Sequence, residues 1–67
     1  MEEVVQWEYL CADHRISWAI NEKPEESLKG KTQNEVLNIL GADGWELVSV
    51  THTVTGFFKM YLKRPHR

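Results

Sequence analysis

The sequence predicts a single α+β domain over residues 1–67: a small antiparallel sheet of three to four strands with one helix packed on one face, in the order β(β)αββ. Three observations predict it. Runs near both ends alternate apolar and polar side chains at the period of two that a strand requires. A central segment opens with a capping box and carries an apolar stripe at helical spacing. The last two strand-like runs are separated only by Thr55-Gly56, a connection short enough to close a hairpin.

Taken in order, residues 4–12 place Val5, Trp7, Tyr9 and Cys11 on one side of a first strand. Residues 16–20 alternate again, either as a short second strand, the favoured reading, or as an extension of the first strand past a bulge. The polar stretch 21–31, with Pro24 and Gly30, reads as a solvated loop. Thr32 followed by Glu35 starts a helix at Gln33, in which Val36, Leu37, Ile39 and Leu40 form the buried stripe while Gln33, Asn34, Asn38 and Asp43 face water. Gly41 or Gly44 supplies the positive-φ residue after the helix, Gly44 being favoured because a new pattern begins right after it, and Trp45 lands back on the helix end as a core anchor. Residues 45–54 and 57–63 then form an antiparallel pair. In that reading Val48, Val50 and Val54 face the helix together with Phe58, Met60 and Leu62.

Composition narrows the function classes. A chain of 67 residues buries only about 60% of its unfolded surface, so a thin core looks to another subunit for help. One Cys excludes an internal disulfide, and a formal charge of -2 argues against gripping long nucleic acid by net charge. No apolar run approaches the ~20 residues of a membrane helix, and the start lacks the basic flank and apolar block of a signal peptide. The expectation is a cytoplasmic protein.

One helix covers one face of a sheet, so the other face carries the functional question. There Phe57, Lys59, Tyr61 and Lys63 alternate in the last strand, beside Leu47, Ser49, Thr51 and Thr53. Rings next to cations suit a nucleobase and its phosphate; equally, the aromatic residues pack in a homodimer while the lysines protect an edge. Trp18, next to the irregular stretch 13–15, is the preferred stacking residue, whereas Trp7 is assigned to the core. Lys59, Lys63, Arg64 and Arg15 are the candidate phosphate contacts, the basic tail 63–67 being either a reach over a neighbour's pocket or a solvated end.

Metal and catalytic readings are weak. Cys11 and His14 have Cys-x-x-His spacing, with His52 and His66 far off, but the second Cys of an ordinary structural zinc site is missing. A Cys11 nucleophile with His52 as base needs a pocket and an oxyanion site that so small a sheet hardly provides. Neither cofactor nor metal is expected.

Two blocks carry a family resemblance: Trp7-Glu8-Tyr9, and the run from Leu37-Asn38-Ile39-Leu40-Gly41 through Gly44-Trp45-Glu46-Leu47-Val48. With the closing Leu62-Lys63-Arg64-Pro65, the chain resembles a family of short bacterial and phage proteins described only as a domain of unknown function. The resemblance implies a helix on a small antiparallel sheet and brings no catalytic residues. Residues 13–31 depart from the family's usual short connection, so a function particular to this chain is expected there. By analogy with small oligomeric phage proteins that sequester the cyclic nucleotide signals of bacterial immunity, the leading expectation is a non-enzymatic homo-oligomer. It would bind a cyclic nucleotide or similar anion at a subunit interface. The rivals are a protein-interaction module using its open face or edge strand, a small hydrolase or transferase acting through His52 or Cys11, and a binder of single-stranded nucleic acid.

Overall fold

The structure, a computed structural model, describes residues 4–66; residues 1–3, and Arg67 of the basic tail, lie outside the described residues. Five strands and one α-helix follow in the order β1 (Trp7–His14), β2 (Trp18–Ile20), β3 (Lys23–Pro24), α1 (Gln33–Ala42), β4 (Glu46–His52) and β5 (Phe58–Pro65). They form one antiparallel sheet, β3-β2-β1-β5-β4. Its centre is the pairing of the two longest strands, β1 and β5, from Trp7 opposite Pro65 to His14 opposite Phe58. The α+β class and the single helix agree with the sequence reading, while the sheet has five strands instead of three to four.

The helix is bounded by local chemistry. The Thr32 hydroxyl accepts from the Glu35 N–H, and the Glu35 carboxylate accepts from the Thr32 N–H, completing the capping box. At the far end Trp45 N–H donates to Leu40 O and Gly44 N–H to Gly41 O, each at 3.0 Å. This is a Schellman arrangement, and it needs the left-handed φ of 91° at Gly44. Val36 is fully buried, with Leu37 and Leu40 beside it. Two helix positions differ from expectation. Ile39 is exposed, and Gln33 turns inward, its amide against the Met60 sulfur at 3.6 Å. At 100° per residue, Gln33, Val36, Leu37 and Leu40 share the core-facing stripe and Ile39 falls outside it.

The core lies between α1 and one face of the sheet: Leu10 and Ala12 of β1, Met60 and Leu62 of β5, Val36, Trp18 and Leu28. Leu28 comes from the stretch 21–31, which is therefore more than a solvated loop. Asn21 and Glu22 adopt φ of 50° and 70°, so the chain reverses in a tight turn and Lys23–Pro24 pairs back on β2. The 3-10 turn Glu26–Leu28 then drops Leu28 into the gap beside the short helix. Ile16, expected in the second strand, sits in the preceding bend and is exposed.

The β4–β5 hairpin also departs from its reading. Thr53 N–H donates to Phe57 O at 2.8 Å and Gly56 N–H to Thr53 O at 3.1 Å, with Gly56 at φ 89°. The loop is thus Val54-Thr55-Gly56, a turn followed by a left-handed glycine, and not Thr55-Gly56 alone. A bulge between Leu47 and Ser49 shifts the register. Leu47 pairs with Leu62 on the helix side, where plain alternation had put it on the open face, and only Val50 of the three valines is half-buried. Val48, at the bulge, and Val54, in the hairpin turn, are exposed.

Candidate functional site on the open sheet face

Strand pleating decides which side chains share the uncovered face. Register sets Tyr9 opposite Lys63, Cys11 opposite Tyr61 and Asp13 opposite Lys59, while Ser49 and Thr51 of β4 stand beside Tyr61 and Lys59. The buried partners of those rows, Leu10 with Leu62 and Ala12 with Met60, point to the helix. The open face is therefore aromatic and cationic. Tyr9 is 68% exposed and Trp7 and Tyr61 each 41%, a contiguous set of rings that no element among the described residues covers. Trp7 belongs to this set and not to the core: it shares the pleat phase of Tyr9, and Lys63 Nζ lies 4.2 Å from its ring centroid in a cation–π contact.

Within this face Cys11 and Ala19 are small, and their neighbours stand up around them. The result is a concavity of about 640 Å³ lined also by Asp13, Arg15, Asn21, Glu22, Lys59 and Tyr61, with Asp13 directly across from Lys59. Asn21 is held by both its main chain and its side chain: its N–H donates to Cys11 O at 2.8 Å, and its Oδ1 accepts from Cys11 N–H at 3.0 Å. One oxygen of Asp13 is buried without a hydrogen-bond partner among the described residues. Burial, reinforced by the Asp13 carboxylate, raises the Cys11 thiol above its ordinary value of 9.0, which keeps it protonated and poorly nucleophilic at neutral pH.

Of the seven residues singled out in the sequence, Arg15, Lys59 and Tyr61 meet at this concavity, and Phe57 joins Arg15 and Lys59 at an adjoining dimple of about 90 Å³. Lys63 lies on the same face, farther along β5. Two do not belong. Trp18 is 2% exposed, its Nε1 donating to Lys31 O at 3.0 Å and its ring edge-on to His14 and Phe58, so it is a core residue and not a half-exposed stacking platform. Arg64 lies on the helix side, one pleat out of phase with Lys63. There its guanidinium pairs with Glu8 and Asp43 and sits 4.2 Å from the centroid of Trp45. Asp13, Asn21 and Glu22 are site residues that sequence reasoning missed, and the legible trace was Asn21, a residue tolerant of a left-handed turn.

The alternative chemistries come apart in space. Cys11 faces the open side, whereas His14 and His52 flank Phe58 on the helix side, so neither the Cys-x-x-His pair nor a Cys11–His52 pair is assembled. Among the described residues no group of three or more His, Cys, Asp or Glu is placed to hold a metal.

The Arg64 cluster fastens the end of β5 to β1 and to the helix cap. Hydrogen bonds from His66 and from Arg64 hold the Glu8 carboxyl below its ordinary 4.5. A carboxylate whose value is depressed by folding adds stability above the unfolded value and loses it as pH falls through the folded one. Acid melts should therefore show the wild type losing stability below about pH 4.5, while Glu8→Gln starts lower at neutral pH and shows less of that acid loss. Parallel pH profiles for the two proteins would remove Glu8 from the acid response.

No curated protein and no solved structure matches the chain. A family model does match, over residues 7–62, a span that holds all five strands except the end of β5, together with the whole helix. The chain belongs to the family described as Domain of unknown function (DUF4177).

Proposed function

We propose that the protein is a non-enzymatic, self-associating binding protein whose open sheet face takes a small anionic ligand with an aromatic part, the class that includes cyclic nucleotides. The observation that carries this reading is the joint exposure of Trp7, Tyr9 and Tyr61 beside Lys59 and Lys63 on a face that no element among the described residues covers. A contiguous aromatic patch on so small a protein signals an interaction surface. Tyr61 offers a ring for stacking at the rim of the concavity, and Arg15 and Lys59 offer charges for phosphate. Asp13 and Glu22 in the same lining favour a ligand that also donates hydrogen bonds, as a base edge does. Residues 13–31 supply much of that lining, in keeping with a function particular to this chain. No helix among the described residues is long and apolar enough to cross a membrane; the proposed setting is the cytoplasm, where such nucleotides act.

Calorimetric titration with a panel of cyclic mono- and dinucleotides tests the reading. Loss of one stacking ring is worth about 1–3 kcal/mol, so Tyr61→Ala should weaken binding roughly 5- to 150-fold. Lys59→Ala should weaken it too, with a steeper effect at low salt. Wild-type indifference to the whole panel, or equal affinity in both variants, would overturn the assignment.

A second reading, a protein-interaction module, is favoured by one observation only. The outer side of β4 pairs with no strand among the described residues.

A further inference from the structure

The two outer strands of the sheet are unlike. β3 is two residues long and consists of Lys23 and Pro24, a charge and a residue without an N–H, both of which blunt an edge. β4 is seven residues long and, after Glu46, reads Leu47-Val48-Ser49-Val50-Thr51-His52, with no Lys or Pro. Such a strand invites a partner.

The ladder shows which of its backbone groups are free. Thr53 N–H bonds to Phe57 O across the hairpin, and antiparallel pairs alternate between bonded and non-bonded, so Thr51 and Ser49 spend their N–H and C=O groups on Lys59 and Tyr61 of β5. Those of Val50 and His52 point away from the sheet.

We propose that β4 pairs antiparallel with β4 of a second copy about a two-fold axis at Thr51. In that register Val50 and His52 of each copy exchange backbone hydrogen bonds with His52 and Val50 of the other. Thr51 meets Thr51 and Ser49 meets Thr53 on the open side. Val48, at the bulge, and Val54, in the hairpin turn, lie at the two ends of the contact. No charge meets a like charge; hydroxyl meets hydroxyl on the open side, and Val50 meets the His52 ring on the helix side. This self-complementarity is what identifies the occupant as a second copy.

The pairing rests on the self-association proposed above and gives it a surface. It joins two sheets of order β3-β2-β1-β5-β4 into one, with the two helices on one side and the two open faces continuous on the other. Arg15, Lys59 and Tyr61 of both copies then belong to one two-fold surface. Pairing of β4 with the uncovered half of β1, beyond the short β2, would instead be head-to-tail and would give a ring or an open chain of copies in place of a two-fold dimer.

Sedimentation of the full chain over a wide concentration range, with two variants, tests this. The wild type should reach twice the 7.9 kDa of one chain. His52→Pro removes an outward N–H that β5 does not use, so it should sediment as a single chain with an unchanged circular dichroism spectrum. Thr51→Cys places two thiols at a non-bonded pair, with Cα atoms about 4.5 Å apart, within disulfide reach. Mild oxidation should link it through residue 51 of each copy, as shown by peptide mapping that separates this link from Cys11. A wild type that stays single at every concentration overturns both this pairing and the self-association behind it. A dimer that survives in a folded His52→Pro, absence of the 51–51 link, or growth to open polymers overturns the β4 pairing alone. Should His52→Pro fail to fold, the Thr51→Cys link decides.

Discussion

Replacing Trp18 by alanine is expected to leave the protein largely unfolded at room temperature. The ring lies in the core, edge-on to His14 and Phe58 at centroid distances of 4.9 and 5.3 Å, and its N–H is spent on Lys31 O. Truncating a buried Trp costs about 3–5 kcal/mol. A domain of this size has only roughly 3–10 kcal/mol to lose, at about 0.05–0.15 kcal/mol per residue. Trp18→Phe keeps an aromatic ring but drops the hydrogen bond that ties β2 to the segment before the helix, and should sit between the two, about 1–3 kcal/mol below wild type. Urea unfolding followed by circular dichroism measures all three. A wild-type midpoint in Trp18→Ala would move the ring out of the core and return it to the ligand surface.

The second large effect compares neighbours in one strand. Met60 is fully buried, opposite Ala12 and Val50 and beneath the helix, so Met60→Ala should cost about 2–5 kcal/mol and come close to unfolding the chain. Tyr61, the next residue, projects from the other face beside Cys11 and Ser49. Its replacement removes cross-strand contacts worth about 0.2–1 kcal/mol and should leave a folded protein impaired in binding. The same urea experiment separates the two. Equal destabilisation by both substitutions would mean that the open face is as essential to folding as the core, and the ligand reading would lose its main support.

The elements legible in the sequence were those set by neighbours along the chain. Thr32 and Glu35 lie three residues apart and cap each other; Gly44 and Trp45 close the helix with bonds that span one turn. Alternation in residues 57–63 likewise placed Lys59, Tyr61 and Lys63 on one face, since the pleat is a property of the strand itself. The turn at Asn21-Glu22 was less legible. A glutamate at φ 70° is unusual, and its neighbour Asn21 is the one residue of the turn whose type favours a left-handed conformation.

What only the tertiary structure decided depends on residues far apart in the chain. Trp7 and Trp18 are alike in composition, yet one lies on the open face and the other in the core. Their placement follows from which pleat phase of β1 the helix covers and from the core cluster that takes in Trp18 of β2 together with Leu28. Arg64 and Lys63 are adjacent basic residues, and the pairing of Glu8 with Arg64 across 56 positions sends one to a structural clasp and leaves the other to the open face. A single bulge at Leu47 and Ser49 reverses the facing of Leu47. Capping and pleating are short-range and written in local residue types. Register, bulge position and the side on which a helix lands are settled by the total area of apolar surface that one arrangement buries, a quantity no local window contains.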